Sequence, residues 1–295
     1  MSMPGLPPPT HPSCSELLAT DDDITAYTTC WPQWTEDVRL DDSLTSAAYE
    51  STPGKLRAFL KTGLALTHMR FGESTEERFR EVRNAHLGFW RTSHALPVSW
   101  SVIAFSAHYA AAARLAAACA AAMLGGVALV GAVCLGGMPT KAALVSLELS
   151  GVEDIFSLDT SGLLTLLTSM QAAPGRLVLL HQGELDKAAR AARAQGLVCF
   201  EECRPPVLAM PESHIFDLEA LAFAQAEAFA TIQTKKSQRP PDALYLSAQA
   251  AVHARLYDSA MPTALLLTPG CEGFWLHSGL TPEFFRMRQE ALGLL

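Results

Sequence analysis

At 295 residues, with 49% hydrophobic and 18% charged side chains, the chain can bury a full core and is not a disordered polymer. A formal charge of −8 excludes nucleic acid as the main partner, because phosphate binding needs clustered Lys and Arg. The densest basic spot is only Lys235, Lys236 and Arg239. Seven cysteines, an odd number with no two-residue gap, argue against a disulfide framework or zinc knuckle and for a reducing, cytoplasmic setting.

Residues 1–20 carry five prolines and read as an extended tail, with no basic stretch of the kind that opens a secretory signal. Residues 21–106 read as a helical N-terminal region. Within it Asp21, Asp22 and Asp23 suit a solvated helix start, and Trp31 and Trp34 flank Pro32 as a cap on a core or an interface. Residues 54–70 have near-helical apolar spacing. Residues 74–91 are expected to be helical too, with Ser74 and Glu77 as a capping box. The SVIAF run ending at Phe105 suits a strand. The uncharged span 115–138 is long enough to cross a bilayer. Its Ala and Gly contribute little transfer energy, and Gly125-Gly126 divides it, so a buried helix followed by a strand is the expectation.

From residue 127 onward the pattern is regular. Apolar runs at 127–134, 154–158, 176–180 and 197–200 alternate with helical periods at 140–149, 161–173 and 183–195. Such alternation predicts an α/β fold with a doubly wound, mainly parallel sheet, its Rossmann-like part spanning residues 107–240. Residues 216–234 read as an amphipathic helix. Residues 241–295 form a C-terminal α/β portion, expected to pack on the N-terminal region. It holds strands at 243–247 and 264–268, an aromatic loop with Phe274 and Trp275, and a closing helix at 282–292.

Ligands of open parallel sheets sit beyond the strand carboxyl ends. Gly136-Gly137 with Thr140 and Lys141 lacks the frame of a P-loop and reads as a βα turn with free backbone donors. Asp159, Thr160, Ser161 and Gly162 combine a helix cap with a candidate cofactor loop. His181 and Glu184, around Gly183, are the candidate general acid–base pair, with a plain polar turn as the alternative. Cys203 beside Arg204 has no base in sequence reach. The absence of an HExxH or His-x-His pair leaves metal binding without support.

The order of these pieces resembles histidinol dehydrogenase, a family with an aldehyde dehydrogenase-like fold. Tyr109 with the alanine-rich helix and residues 121–133 (AAMLGGVALVGAV) resembles the tyrosine segment leading into that family's nucleotide domain. Residues 141–167, 176–196 and 220–229 (ALAFAQAEAF) resemble its later framework. The resemblance implies the fold and an NAD(P)- or nucleotide-sized cleft formed by Asp159, Thr160, Ser161, Gly162 and Gly183. Asp159-Thr160 stands where the family has Gly-Gly. Gln225 matches a zinc-ligand position, but Ala228 replaces the histidine three residues on, so neither zinc nor histidinol oxidation is expected. Two readings follow: a divergent dehydrogenase-like protein with a small-molecule ligand, or a non-catalytic binding protein using Trp31, Trp34, Phe274 and Trp275. Neither involves a membrane, and a homodimer is compatible with both.

Overall fold

The computed structural model describes residues 30–72, 79–232, 240–257 and 265–294. The proline-rich tail, Asp21 to Asp23, the Ser74–Glu77 capping box and the Lys235, Lys236, Arg239 spot lie outside the described residues.

The centre is a five-stranded, wholly parallel sheet. Its strands are β3 (Trp100–Ser106), β4 (Leu129–Leu135), β5 (Asp154–Leu158), β6 (Gly175–Leu180) and β7 (Val198–Glu202). Their spatial order is β5-β4-β3-β6-β7. The chain moves outward from β3 to one edge, returns, and builds the other edge, so the fold is doubly wound with β3 as its middle strand. The sequence reading starts the sheet at residue 127 and counts four strands. The structure adds β3, the SVIAF run, which is buried along its whole length. No polar alternation marks it, because both of its faces are covered.

Alternation along the strands divides the core in two. Ile103, Phe105, Ala132, Cys134, Ile155, Val178 and Leu180 meet α3 (Ala112–Leu124) and α4 (Lys141–Ser150) on one face. Trp100, Val102, Ala104, Val133, Phe156 and Leu177 meet α5 (Thr160–Ser169) and α6 (Asp186–Ala194) on the other. The alanine-rich α3 is buried from Ala112 through Ala122 because it also packs, on its far side, against a second cluster. That cluster joins α1 (Asp42–Glu50), α2 (Gly54–Gly72), α7 (Leu218–Phe229) and the small parallel sheet β10-β9-β8. The strands of this sheet are β8 (Leu208–Ala209), β9 (Ala243–Tyr245) and β10 (Leu265–Leu267), and α8 (Ala248–Tyr257) follows β9. Small side chains let α3 sit between two layers at close range. The span 115–138 is therefore a buried helix and a strand, and among the described residues no helix is long and apolar enough to cross a membrane.

Two expected helices are strands. Residues 79–97 form the hairpin β1 (Phe79–Asn84) and β2 (Phe89–Pro97), and β11 (Arg286–Leu294) pairs with β2 over nine residues to complete an antiparallel sheet. Asn84 accepts the Leu87 amide at 2.9 Å and Gly88 takes φ 66°, a turn chemistry that closes the hairpin. Only the short 3-10 turn Pro282–Phe285 remains of the expected closing helix. Long-range pairing with β2 overrides the helix propensity of the Arg-Gln-Glu-Ala run. Phe274 and Trp275, expected as contact residues, are 9% and 5% exposed and belong to the core, because their loop is pressed onto α2.

Backbone meets backbone there. A Cβ on Gly63 would lie 1.9 Å from the Gly273 carbonyl oxygen, and one on Gly273 would lie 2.2 Å from that of Phe59. Neither neighbour is a flexible side-chain end. Gly63→Ala is expected to destabilise the protein by about 3 kcal/mol, the upper end for overpacking. The shift in urea midpoint measures it, and an unchanged midpoint would show that α2 and this loop separate freely.

Candidate functional site

The strand carboxyl ends carry two polar networks, one on each face of the sheet, and β7 supplies both. Glu201 and Glu202 are neighbours on a strand, so their side chains leave on opposite faces. Glu202 turns toward α3, and Glu201 toward α6.

On the α3 side the organising group is Arg114, whose side chain is 2% exposed. It is the only Lys or Arg between residues 107 and 124. A buried guanidinium is tolerable only when paired. Arg114 pairs with Glu202 through Nη1, and with Glu227 of α7 through Nη2 at 2.7 Å. Glu227 also accepts the Ala110 amide at 3.0 Å, so the chain's own carboxylate holds a donor at the entry to α3. The Tyr109 hydroxyl donates to Glu202 at 3.0 Å. His277, from the C-terminal segment, sets Nδ1 3.0 Å from Glu202 Oε2 and Nε2 2.7 Å from the Arg114 carbonyl oxygen. Both ring nitrogens face acceptors, and both contacts are hydrogen bonds only when each nitrogen carries a proton. Burial alone would raise the Glu202 carboxyl; His277, Arg114 and the Tyr109 hydroxyl overcome it and bring Glu202 down to about 2. Burial, in turn, pushes the Tyr109 phenol well above its ordinary value.

Glu227 reaches Arg114 across a break in its helix. Ala226 has φ 29° and ψ −98° within α7, and it is the one described non-glycine residue at positive φ. Strain of this kind persists only where neighbours fix it. Ion pairing at Glu227 and the buried Gln225, whose Nε2 lies 3.5 Å from the Phe274 carbonyl oxygen, are those neighbours.

On the α6 side, His181 is buried at the end of β6. Its Nδ1 accepts the Gly183 amide at 2.9 Å and the Leu185 amide at 3.3 Å, while Nε2 lies 3.1 Å from Glu201 Oε1. The imidazole thus caps the turn into α6, with Nδ1 as acceptor and the proton on Nε2. Arg193 clamps the other Glu201 oxygen at 2.5 Å. Glu184 is exposed and accepts the Gln182 amide at 2.6 Å. The structure therefore does not join His181 and Glu184 to each other. It gives His181 to the loop backbone and leaves Glu184 facing solvent.

His181, Asp186 and Glu201 are the described His, Asp and Glu side chains close enough together to hold a metal ion. Their partners oppose it. Two amide N–H groups point at His181 Nδ1, the nitrogen nearer Asp186, and Arg193 already neutralises Glu201. The zinc that the resemblance implies does not fit either, since Ala228, where the resemblance places a histidine ligand, carries no side-chain atom able to bind a metal.

Exposed residues lie in the loops after β4, β5 and β6, and also after β7, where Cys203 and Arg204 face solvent. Gly136 and Gly137 adopt φ 83° and 154°, and Thr140 caps α4 by accepting the Ala143 amide at 3.2 Å. Lys141 is turned away, donating to the Ser51 carbonyl oxygen at 2.7 Å. Asp159 caps α5, accepting the Gly162 amide at 2.7 Å and the Ser161 hydroxyl at 2.8 Å. The Gly162 amide, with the Ser161 hydroxyl, lowers the Asp159 carboxyl. Thr160, Ser161 and Gly183 are exposed. Sequence reasoning located these loops and missed Arg114, Glu202, Glu227 and His277. A lone arginine inside an alanine-rich, uncharged run was the available signal.

Removing Arg114 leaves two carboxylates facing each other in the interior. Arg114→Met is expected to destabilise by about 3–5 kcal/mol. The depressed Glu202 carboxyl contributes stability that is present above the ordinary carboxylate range, near 4.5, and is lost as pH falls toward 2. Urea midpoints between those two pH values should fall in the native protein and fall less in Glu202→Gln. Equal slopes would place the acid sensitivity elsewhere.

No family model matches the chain, and no curated protein does. Solved structures do. Histidinol dehydrogenase from Elizabethkingia anophelis is similar with a TM-score of 0.59 at 11% identity, over 88% of this chain and 77% of that one. Succinate-semialdehyde dehydrogenase from Burkholderia pseudomallei gives a TM-score of 0.44 at 9% identity, over 86% of this chain and 88% of its own. Aldehyde dehydrogenase from Brucella melitensis biovar abortus 2308 gives 0.36 at 12%, over 72% of this chain and 51% of its own. With its mainly parallel sheet and flanking helices, the chain has the histidinol dehydrogenase-like fold.

Proposed function

We propose that this chain is a dehydrogenase-fold protein that binds a nucleotide or NAD(P) at the strand carboxyl ends and does not oxidise histidinol. The observation that carries the reading is the set of exposed loops after β4, β5 and β6, of which the one after β6 leaves a strand beside the point, between β3 and β6, where the winding reverses. Thr160, Ser161, Gly162 and Gly183 would contribute hydroxyls and backbone groups to the ligand, with Asp159 holding its loop in shape. A bound NAD(P) would supply hydride acceptance. For proton movement, the exposed Glu184 is the available group, while His181 fixes the turn beside it.

The second reading, a non-catalytic binding protein on the same scaffold, is favoured by a specific feature. Glu201, Glu202, Glu227, Arg114, His181 and His277 all have partners within the chain. A site that satisfies itself lacks groups poised for chemistry. Loss of the zinc position is consistent with both readings.

Thermal unfolding with NAD+, NADP+ and AMP separates them. Ligand at ten times its dissociation constant adds about 1.4 kcal/mol, or a rise of about 3 °C in Tm for a chain of this size. We expect such a rise with at least one of the three, reduced in Gly183→Val. Absorbance of NADH should stay flat with histidinol, with or without added zinc. No rise with any nucleotide would discard the cleft, and turnover of histidinol would discard the divergence.

A further inference from the structure

A chain of formal charge −8 has more carboxylates than cations, yet three of its cations gather without a carboxylate. Arg57 and Lys61 stand one turn apart on α2, and Lys141 is the first residue of α4. All three meet the end of α1. The Arg57 guanidinium lies 4.3 Å from the centre of the Tyr49 ring, and Lys61 donates to the Tyr49 hydroxyl at 2.9 Å. Lys141 donates to the Ser51 carbonyl oxygen at 2.7 Å. Among the described residues none of the three has an ion-pair partner. Lys55, on the same helix, is by contrast held by Asp217 and Glu219.

We propose that this corner, where α1 ends and α2 and α4 begin, binds a phosphate dianion, free or carried as a monoester on a small molecule. Like charges brought together repel, so the cluster is costly until an anion enters it. Helix starts add to the attraction, since they present unpaired first-turn amides and the positive ends of their dipoles. The Lys61 ammonium on its hydroxyl, followed by Arg57, lowers the Tyr49 phenol, the response of a group in an unneutralised positive field. A phosphate has oxygens enough to meet cations from two helices at once. Tyr49 already holds Arg57 on its face and Lys61 on its hydroxyl, so little side-chain freedom remains to be lost on binding. Thr140, the cap of α4, donates to the Tyr109 carbonyl oxygen at 2.9 Å, so the corner adjoins the loop after β3. It is complete without a nucleotide in the cleft.

Calorimetric titration of the full chain with sodium phosphate, AMP, NADP+ and NAD+ tests the site. At least one of the first three should bind saturably, and more weakly as sodium chloride is raised. The double variant R57Q/K61Q should bind it roughly tenfold more weakly, as expected when charged donors are removed. Lys141→Gln, on the other helix, should weaken it as well. NAD+, which carries no phosphate monoester, should be indifferent to all three substitutions. Equal affinities for phosphate, AMP and NADP+ would mean that the free anion suffices. Tighter AMP or NADP+, weakened alike in R57Q/K61Q, would mean that a nucleotide carries the phosphate. Absence of saturable binding by phosphate, AMP and NADP+ would overturn the proposal, as would affinities that R57Q/K61Q leaves unchanged. Nucleotide binding that survives R57Q/K61Q but falls in Gly183→Val would overturn the corner and leave the cleft standing. Phosphate binding lost in R57Q/K61Q, with no nucleotide bound, would do the reverse.

Discussion

One positive charge, placed where no charge can sit unpaired, explains more of this molecule than any other single feature. Arg114 lies on a helix packed on both sides, and its guanidinium must be neutralised within the reach of its own side chain. Glu202 arrives from β7, Glu227 from α7, and His277 from the segment after β10. Three parts of the chain distant in sequence are thereby fixed against α3. Desolvation offsets much of what the pairs gain, so their net contribution to stability is modest. Their effect is on arrangement. A slip of β7 by one residue would send Glu202 to the other face and leave Arg114 with one partner.

The alternation of β7 also separates the two polar networks. Glu201 serves the loop after β6 by holding His181 and Arg193, while Glu202 serves the helix after β3. Strands β3 and β6 are neighbours in the sheet. Their loops depart toward opposite layers, α3 on one face and α6 on the other. Such a divergence opens a crevice in any doubly wound sheet. Here its inner walls are ion-paired, and its outer rim, after β4 and β5, is glycine and hydroxyl.

The parallel part of the fold was legible because burial on both faces leaves continuous apolar runs, punctuated by Gly151, Pro174 and Gly196. The capping role of Asp159 was legible for the same local reason. What escaped depends on contacts far apart in sequence. The Arg-Met-Arg-Gln-Glu-Ala run favours helix locally, and only its pairing with Phe89–Pro97, almost two hundred residues earlier, makes it a strand. The exposed hairpin strand β1 has charges on both faces, so no period-two pattern distinguished it from a solvated helix. The loops after β5 and β6 were located from sequence, with the cap at Asp159, yet the role of His181 was not. That His181 spends its Nδ1 on backbone amides is a matter of geometry at the ångström level.

Similarity in fold together with divergence in site has a physical basis in this chain. The framework is specified by apolar volume and by a few close approaches, such as Gly63 on Gly273 and Gly175 under Trp100. None of these involves a ligand. Sites of the same scaffold depend on polar groups left available at strand ends. Here such groups satisfy one another: Glu227 on the Ala110 amide, His181 on the Gly183 amide, Asp159 on the Gly162 amide. Each of these contacts engages a backbone donor without disturbing a buried apolar contact. The five-stranded core and the polar strand ends can therefore vary independently, because the two are held by different forces acting on different residues.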